Sequence, residues 1–238
     1  MGRAHEVRKA SMEKTAALKS ALYGRAAREI YMAAKGGSSD PNSNLVLRSA
    51  MDKAKSNHIP ADVIARAIKK AEGGEVENYI FNRYEGYGPG NSMIVVDSLT
   101  SNVNRAIAEI RDVFNKNGGK IAQAGAVSHS FIPCSIFAFE GHTVDEIVDL
   151  LLEVDVEIID ITLEYDQTVV YGGFSSFNAI KKVLDNFGIL EYFQAETTLK
   201  PNEEIILDDN DVKAQFEKLI DKLNELEDVQ EVYHNVEL

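Results

Sequence analysis

Apolar side chains recur every three or four residues in the N-terminal part of the chain, at Leu18, Leu22, Ala26, Ile30 and Ala33. The stretch that contains them has no proline and is rich in Ala, Lys and Arg. This spacing predicts one long amphipathic helix over residues 9–35. The same pattern predicts a second helix over residues 41–56, with Asp40 as its N-cap, and a third that starts near Pro60. Three helices joined by short links indicate a small bundle.

From Tyr79 onward, runs of β-branched and aromatic residues replace the helical pattern. The segment YIFNRYEGYGPGNSMIVVDSLT carries two such runs on either side of a Gly-Pro-Gly sequence, which predicts a β-hairpin. Asn102 is a favourable N-cap for a following helix, which ends near Gly118. A strand over residues 126–131 is expected after it.

Residues 134–199 alternate between strand and helix patterns in the order βαββαβ. The predicted elements are a strand at 135–140, a helix at 144–153, strands at 157–163 and 168–171, a helix at 176–187 and a last strand. This order is the split βαβ pattern of ferredoxin-like folds, in which two helices cover one face of an antiparallel sheet.

The C-terminal stretch adds a helix capped near Asp209 and a final strand over residues 229–236, which have no partner of their own. The ββαβ segment at 79–131 lacks an αβ pair. The simplest assembly therefore adds the C-terminal helix and strand to this segment and treats residues 134–199 as an insertion. The sequence therefore predicts an α+β multidomain protein with an N-terminal three-helix bundle and two ferredoxin-like α+β domains, one inserted in the other. The predicted domains are residues 1–76, residues 77–132 with 201–238, and residues 133–200.

Charge is distributed unevenly along the 238 residues. The formal net charge is −13, but the segment through Glu75 has 14 Lys or Arg against 8 Asp or Glu, and the rest of the chain has 11 against 30. A basic segment joined to an acidic body is typical of a module that binds polyanions such as DNA, RNA or an acidic protein. A solvated helical surface would give the same count.

Residue types that carry catalysis or hold metal ions are scattered. The single cysteine, Cys134, excludes an intramolecular disulfide and a cysteine-based zinc site, and the five histidines have no spacing that lets two of them meet one metal ion. The sequence therefore predicts no metal, no cofactor and no enzymatic activity. No apolar run approaches the roughly 18 residues of a membrane span, and no secretory signal is visible, so we expect a cytoplasmic protein without membrane contact.

Lysines and arginines recur along the N-terminal arm and all three predicted helices. They are the candidate phosphate ligands because they neutralise a sugar-phosphate backbone with little sequence selectivity. They are Arg3, Arg8, Lys9, Lys14, Lys19, Arg25, Arg28, Arg48, Lys53, Lys55, Arg66, Lys69 and Lys70. Acidic residues interrupt this array and moderate its field. Tyrosines of the predicted helices and hairpin are either stacking surfaces for unpaired bases or core residues. The candidates are Tyr23 and Tyr31 in the first helix and Tyr84 and Tyr87 in the hairpin.

Three segments carry a resemblance to a known family. They are LRSAMDKAKSNHIPADVIARAIKKA (47–71), RYEGYGPGNSMIVVDSLTSNVNRAIAEIRDVFNKNGGKIAQAGAVSHSF (83–131) and DVQEVYHNV (228–236). With these motifs the chain resembles the YebC family over nearly its whole length. The resemblance implies a helical N-terminal bundle and two α+β domains, one inserted in the other.

The resemblance also implies two functions. Bacterial members of the family are commonly described as cytoplasmic transcriptional regulators that bind DNA, while related proteins, including mitochondrial ones, act as translational activators on the ribosome. The predicted partner is therefore duplex DNA or ribosomal RNA, with a monomer or weak dimer as the binding form. A small-ligand sensor is a third hypothesis, since ferredoxin-like domains often contain regulatory pockets. The bundle cations that match the family motif are Arg48, Lys53, Lys55, Arg66, Lys69 and Lys70.

Overall fold

The computed structural model describes residues 3–73, 77–154 and 156–237, with side chains from Leu18 onward. Its helices and strands are, in chain order, α1 (Arg3–Lys35), α2 (Leu45–Ser56), α3 (Ala61–Glu72), β1 (Ile80–Tyr87), β2 (Met93–Thr100), α4 (Val103–Lys116), β3 (Lys120–Ile121), β4 (Phe131–Phe139), α5 (Val144–Leu152), β5 (Ile158–Glu164), β6 (Gln167–Gly173), α6 (Phe177–Phe187), β7 (Gln194–Pro201), α7 (Asn210–Glu225) and β8 (Val229–His234). The chain divides into two compact units, Met1–Ser130 with Glu203–Leu238 (unit 1) and Phe131–Asn202 (unit 2). The further division of unit 1 into a helical domain and an α+β domain stays a prediction.

Helices α1, α2 and α3 of unit 1 share one apolar core. Ile30 and Tyr31 of α1 pack with Leu47 of α2 and Ile64 of α3, and all four side chains are buried. Each helix carries an apolar residue every three or four positions, so that one stripe of each faces the other two. Burial of these stripes, more than intrinsic helix propensity, stabilises the short helices α2 and α3.

The start of α2 differs from the prediction. Asn44, not Asp40, caps this helix, and its side-chain oxygen accepts a 3.0 Å hydrogen bond from the N–H of Leu47. Asp40 accepts instead from the N–H of Asn42 at 2.9 Å and so forms a turn before the helix. Asn44 is the better cap here because it is buried, and its amide group also donates to two main-chain carbonyls, one at the end of α1 and one in the α1–α2 link.

The sheet of unit 1 has the antiparallel strand order β3-β1-β2-β8. Helices α4 and α7 cover one face, where Phe114 and Phe216 pack with Ile94 and Val96. The chain order of these elements is ββαβαβ, so the prediction of a second ferredoxin-like domain is wrong. The tight turn makes β1 and β2 neighbours at the centre of the sheet, whereas a ferredoxin-like fold has its first and third strands there.

The predicted hairpin is confirmed. Strands β1 and β2 pair along their whole length, ending with Tyr87 opposite Met93. Gly90 in the turn has a φ of 67°, a left-handed conformation that glycine adopts without strain. A Cβ atom on Gly86 would lie 2.7 Å from the carbonyl oxygen of Lys120. Glycine at this position therefore lets β3 approach β1.

A loop, rather than the start of the strand predicted over 126–131, precedes β4. The buried carboxylate of Glu85 accepts three hydrogen bonds of 2.7 to 2.9 Å from main-chain N–H groups, those of Gly125, Val127 and Ser128. These donors are not available for a strand ladder, and β4 begins only at Phe131. Burial acts to raise the pKa of Glu85, but the N–H donors outweigh this effect, and its pKa lies below the ordinary value.

Unit 2 has the chain order βαββαβ and the antiparallel strand order β5-β6-β4-β7. This confirms the predicted ferredoxin-like arrangement of these elements. Phe137 and Phe139 are two residues apart on β4 and point to the same face. Helices α5 and α6 cover that face with Ile147 and Ile180, and all four side chains are buried.

We expect Glu85→Gln to destabilise the protein at pH 7 by about 1–3 kcal/mol, because a neutral amide is a weaker acceptor for the three N–H donors than a carboxylate. The folded pKa of Glu85 lies below its unfolded value of about 4.3. Its stabilising contribution is therefore complete above that value and is lost as the pH falls through the folded pKa. Urea unfolding between pH 7 and pH 3 should show the stabilities of the two proteins converging.

Glu217→Gln, at an exposed position on α7, is the matched control and should change stability by less than about 0.5 kcal/mol. A stability difference between wild type and Glu85→Gln that stays constant over the whole pH range would contradict the role assigned to this carboxylate.

Candidate nucleic-acid interface

The predicted phosphate ligands differ widely in exposure. Those exposed on the surface are Lys19, Arg48, Lys55, Arg66, Lys69 and Lys70. Arg25 and Lys53 are partly buried, and Arg28 is buried. The side chains of Arg3, Arg8, Lys9 and Lys14 lie outside the described residues.

Arg28 has a structural role, and its predicted contact with phosphate stays a prediction. Its guanidinium is 6% exposed and lies 3.4 Å from the carboxylate of Asp228 and 3.3 Å from that of Glu227. It also donates to the main-chain carbonyl of Leu99 at 3.2 Å. These contacts join α1 to the end of β2 and to the turn between α7 and β8, and Arg28 also lines a groove between α1 and α3.

Asp228 is the centre of this buried arrangement. Its Oδ2 accepts a 2.9 Å hydrogen bond from the hydroxyl of Thr100 and a 2.7 Å hydrogen bond from Nη2 of Arg105. The contact with Asp228 raises the pKa of Arg105. We call Asp228, Thr100, Arg28 and Arg105 the Asp228 cluster. Sequence reasoning missed it because Asp228 lies more than 100 residues along the chain from each of the other three.

Arg25 and Lys53 also have partners in the C-terminal part of unit 1. Arg25 donates to the side chain and to the main-chain carbonyl of Asn224, and burial is the main cause that lowers its pKa. The Nζ atom of Lys53 lies 2.8 Å from the carboxylate of Glu231 and 4.0 Å from that of Glu29. Both cations therefore have contacts within the protein, and their assignment as phosphate ligands stays a prediction.

Helix α3 presents cations on the side opposite its buried stripe, and we call Arg66, Lys69 and Lys70 the α3 cations. Arg66 lies 2.8 Å from the carboxylate of Asp62, and Lys70 lies 2.6 Å from that of Glu77. Lys69 forms no ion pair with any residue that the structure describes. Exposed pairs of this kind contribute only about 0–1 kcal/mol. An incoming phosphate can therefore replace the carboxylates.

The other exposed cations do not belong to this set. Arg48 donates to the carbonyl of Pro41 at 3.1 Å and so supports the turn before α2. Lys55 lies 3.3 Å from the carboxylate of Asp52. Lys19 is exposed on α1.

A groove with a volume of about 440 Å³ lies between α1 and α3. Gly24 and Ala27 of α1 and Ala67 of α3 line it with small side chains. Arg66 and Lys70 line its α3 side. The structure thus brings three of the predicted cations, Arg28, Arg66 and Lys70, to a single concave surface.

Tyrosines form part of the groove wall. Two of the predicted stacking residues, Tyr23 and Tyr31, line the groove. Tyr79 also lines it, and the sequence patterns did not single out this residue. Tyr31 is buried and packs edge-on against Tyr79 with ring centroids 5.8 Å apart. Burial, together with the hydrogen bond to Glu77, raises the pKa of Tyr79 to about 12. Of these three tyrosines, Tyr23 and Tyr79 are partly exposed.

The other two predicted stacking residues lie elsewhere in unit 1. Tyr84 packs against the core beneath α4 and α7. The hydroxyl of Tyr87 donates to the carbonyl of Ala126 at 3.2 Å and so holds the loop before β4.

The described residues contain no group of three or more His, Cys, Asp or Glu side chains arranged to hold a metal ion. Cys134 is buried, and this burial raises the pKa of its thiol. Among the helices in the described ranges, none combines the length and the apolar composition needed to cross a membrane.

Two family models account for most of the sequence. The model of the TACO1/YebC protein N-terminal domain matches residues 3–74, and the model of the TACO1/YebC second and third domain matches residues 79–236. The chain belongs to the TACO1/YebC family. The resemblance seen in the sequence is thereby confirmed. The α3 cations lie within the region that the TACO1/YebC N-terminal model covers, and so do the residues that line the groove, except Glu77, Tyr79 and Glu227.

Relatives of this TACO1/YebC chain include proteins named for regulation. A probable transcriptional regulatory protein from Mesoplasma florum is 57% identical over 236 residues, which cover 99% of each chain. A probable transcriptional regulatory protein from Mycoplasma capricolum subsp. capricolum is 55% identical over 239 residues, which cover 100% of each chain. The crystal structure of a conserved hypothetical protein from Aquifex aeolicus is similar with a TM-score of 0.79 and 32% identity, covering 92% of this chain and 90% of that one.

We expect Asp228→Asn to destabilise the protein by about 3–5 kcal/mol, because it leaves the buried guanidinium of Arg28 without its buried counter-charge. Glu227→Gln removes the other carboxylate near Arg28, but Glu227 is 80% exposed, so this matched variant should lose no more than about 1 kcal/mol. Urea unfolding followed by circular dichroism measures both. Equal losses in the two variants would show that the Asp228 cluster does not have the role described.

Proposed function

We propose that this protein regulates gene expression by binding the phosphate backbone of a nucleic acid through the α3 cations. The observation that carries the proposal is the exposure of Arg66, Lys69 and Lys70 together on one side of a short, well-packed helix. Lysine and arginine side chains bind phosphates by neutralising charge and releasing counterions. Arginine also matches two phosphate oxygens with two parallel N–H donors.

The distribution of charge supports binding in a restricted orientation. The segment after Glu75 has 11 Lys or Arg against 30 Asp or Glu, and this acidic majority repels a polyanion. Binding is therefore confined to the basic bundle. A protein of this kind has weak general affinity for bulk nucleic acid and docks with one face only.

Duplex DNA is the first candidate partner. The names of the Mesoplasma florum and Mycoplasma capricolum relatives refer to transcription, and direct contact with DNA is one way in which such regulators act. Phosphate contacts by the α3 cations would fix the protein on the duplex and give little base selectivity by themselves.

Ribosomal RNA is the second candidate partner, in line with a role as a translational activator. Two observations favour it: the confinement of the proposed phosphate ligands to the bundle, and the tyrosine-lined groove beside them. A cavity lined by structured RNA offers phosphates in a fixed arrangement and also unpaired bases, which regular duplex DNA does not expose.

We expect the triple variant Arg66→Gln, Lys69→Gln, Lys70→Gln to bind both duplex DNA and an RNA hairpin at least about tenfold more weakly at 0.1 M salt. The slope of log affinity against log salt should become shallower by about 0.9 for each phosphate that the variant no longer neutralises. Fluorescence anisotropy over a salt series measures both quantities, and circular dichroism checks folding.

The control removes three exposed lysines from α4 and α7, Lys116→Gln, Lys218→Gln and Lys222→Gln. Lys116 and Lys222 also have local carboxylate partners, at 2.7 and 2.5 Å, so the two variants match in net charge and in the number of ion pairs that they remove. Equal binding by the two variants would refute the role of the α3 cations. Ribosome pelleting and duplex retention by the wild type, compared at the same salt, decide between the two partners.

A further inference from the structure

We propose that the groove between α1 and α3 binds one unpaired nucleotide of a nucleic-acid strand. This inference rests on the proposed function, which assigns backbone phosphates to the α3 cations, and it adds a base as a second determinant of binding. The groove volume of about 440 Å³ falls within the range of roughly 300–1,000 Å³ that is typical of small-ligand sites.

Small side chains keep the groove open. Gly24 lies in the interior of α1, where glycine is less favourable than alanine. Its φ is not in the left-handed region, and a Cβ atom there would meet only the end of the Arg28 side chain, at 3.3 Å. The backbone therefore does not require glycine at this position. The small size of glycine leaves room for the guanidinium of Arg28 and provides space in the groove wall, beside Ala27 and opposite Ala67.

The walls have the chemistry that binds a nucleotide. The partly exposed rings of Tyr23 and Tyr79 offer faces for a base to stack on, which every base can use. Arg66 and Lys70 stand at the α3 side, and their partners Asp62 and Glu77 are themselves exposed or half-exposed. A phosphate can take the place of the Asp62 carboxylate at the guanidinium of Arg66, while Glu77 stays paired with Lys70.

The negative groups of the groove set the direction of the nucleotide. The carboxylate of Glu227 lies beside Arg28, and the carboxylate of Glu77 accepts hydrogen bonds from Lys70 and Tyr79. These groups repel a phosphate but accept hydrogen bonds from the N–H donors of a base. The phosphate therefore lies toward Arg66, and the base lies toward the carboxylates and the tyrosine rings.

The occupant is an unpaired nucleotide because a paired base is not free to enter. Its faces are stacked on its neighbours and its hydrogen-bonding edge is used, so extraction from a duplex has a free-energy cost that an unpaired base does not have. Duplexes should therefore bind through the α3 cations alone. Unpaired strands should bind through the cations and the groove.

The test compares a single-stranded RNA oligonucleotide with a hairpin of the same composition whose loop is a non-nucleotide ethylene-glycol linker, so that all bases of the hairpin are paired. It uses the full-length protein and fluorescence anisotropy. Gly24→Leu fills the groove, and Tyr23→Leu removes one stacking face while keeping an apolar side chain. We expect each variant to bind the single strand about tenfold more weakly and the hairpin as tightly as the wild type does. A single 2-aminopurine in the strand should lose fluorescence on binding to the wild type and much less on binding to Tyr23→Leu.

Two controls place the same changes outside the groove. Ala65→Leu introduces leucine at an exposed position of α3, and Tyr165→Leu removes an exposed tyrosine of unit 2; both should bind as the wild type does. Unchanged single-strand binding by Gly24→Leu and Tyr23→Leu, or an equal loss for strand and hairpin, would overturn the groove assignment and leave the proposed function intact. Failure of the wild type to bind either RNA would overturn both.

Free nucleotide is the remaining alternative source of the same chemistry. Calorimetry with adenosine monophosphate should give no binding at micromolar concentrations, since a single phosphate and base lack the contacts of a strand with the other cations. Micromolar binding that Gly24→Leu abolishes would assign the groove to a free nucleotide and overturn the proposal for a strand.

Discussion

A single buried carboxylate connects the helical bundle to the first sheet. Asp228 holds Arg28 of α1, Arg105 of α4 and Thr100 at the end of β2. A charge in the protein interior is tolerated only when it is paired and hydrogen-bonded. Separation of α1 from the sheet would remove Arg28 from Asp228, from Glu227 and from the carbonyl of Leu99. The Asp228 cluster therefore sets the position of α1 and, through the shared apolar core, that of α3.

This arrangement changes the meaning of the charge asymmetry. Counted along the sequence, the segment through Glu75 is basic and the rest is acidic. In the folded protein, Arg28 and Lys53 from the basic segment are paired with Asp228 and Glu231 from the acidic one. Part of the opposite charge is thus used to hold unit 1 together. The cations that remain exposed, among them Arg66, Lys69 and Lys70 of α3, are those available for the proposed contact with phosphate.

Local patterns were sufficient to predict most helices and strands, because apolar spacing and capping residues act within a few positions of the chain. Errors arose where a distant contact decided between local alternatives. Asn44 outcompetes Asp40 as a cap because it also bonds to α1 and to the link that follows it. The strand expected near Val127 is a loop because Glu85, more than 35 residues earlier, takes its N–H donors.

The candidate site was predictable only as a set of residue types. Counting cations gave Arg66, Lys69 and Lys70 the same weight as Arg25 and Arg28, since the partners of the latter two lie about 200 residues away in the sequence. The groove was still harder to predict from the sequence, because it depends on the packing of α1 against α3 and on Tyr79, which follows α3 in the chain. The spacing of Tyr23, Ala27 and Tyr31 on one face of α1 was the available signal, and core tyrosines have the same spacing.

Burial separates the ion pairs that stabilise the protein from those that can be exchanged for a ligand. Arg28 with Asp228 and Arg66 with Asp62 are chemically the same pair, at 3.4 and 2.8 Å. Dissolved salt screens exposed charges over about 10 Å at 0.1 M and screens buried ones much less. Rising ionic strength therefore weakens contacts at the α3 cations while the Asp228 cluster persists. Under the proposed function, a polyanion at Arg66 would therefore be released at high salt while the contacts of Arg28 continue to hold α1 in place.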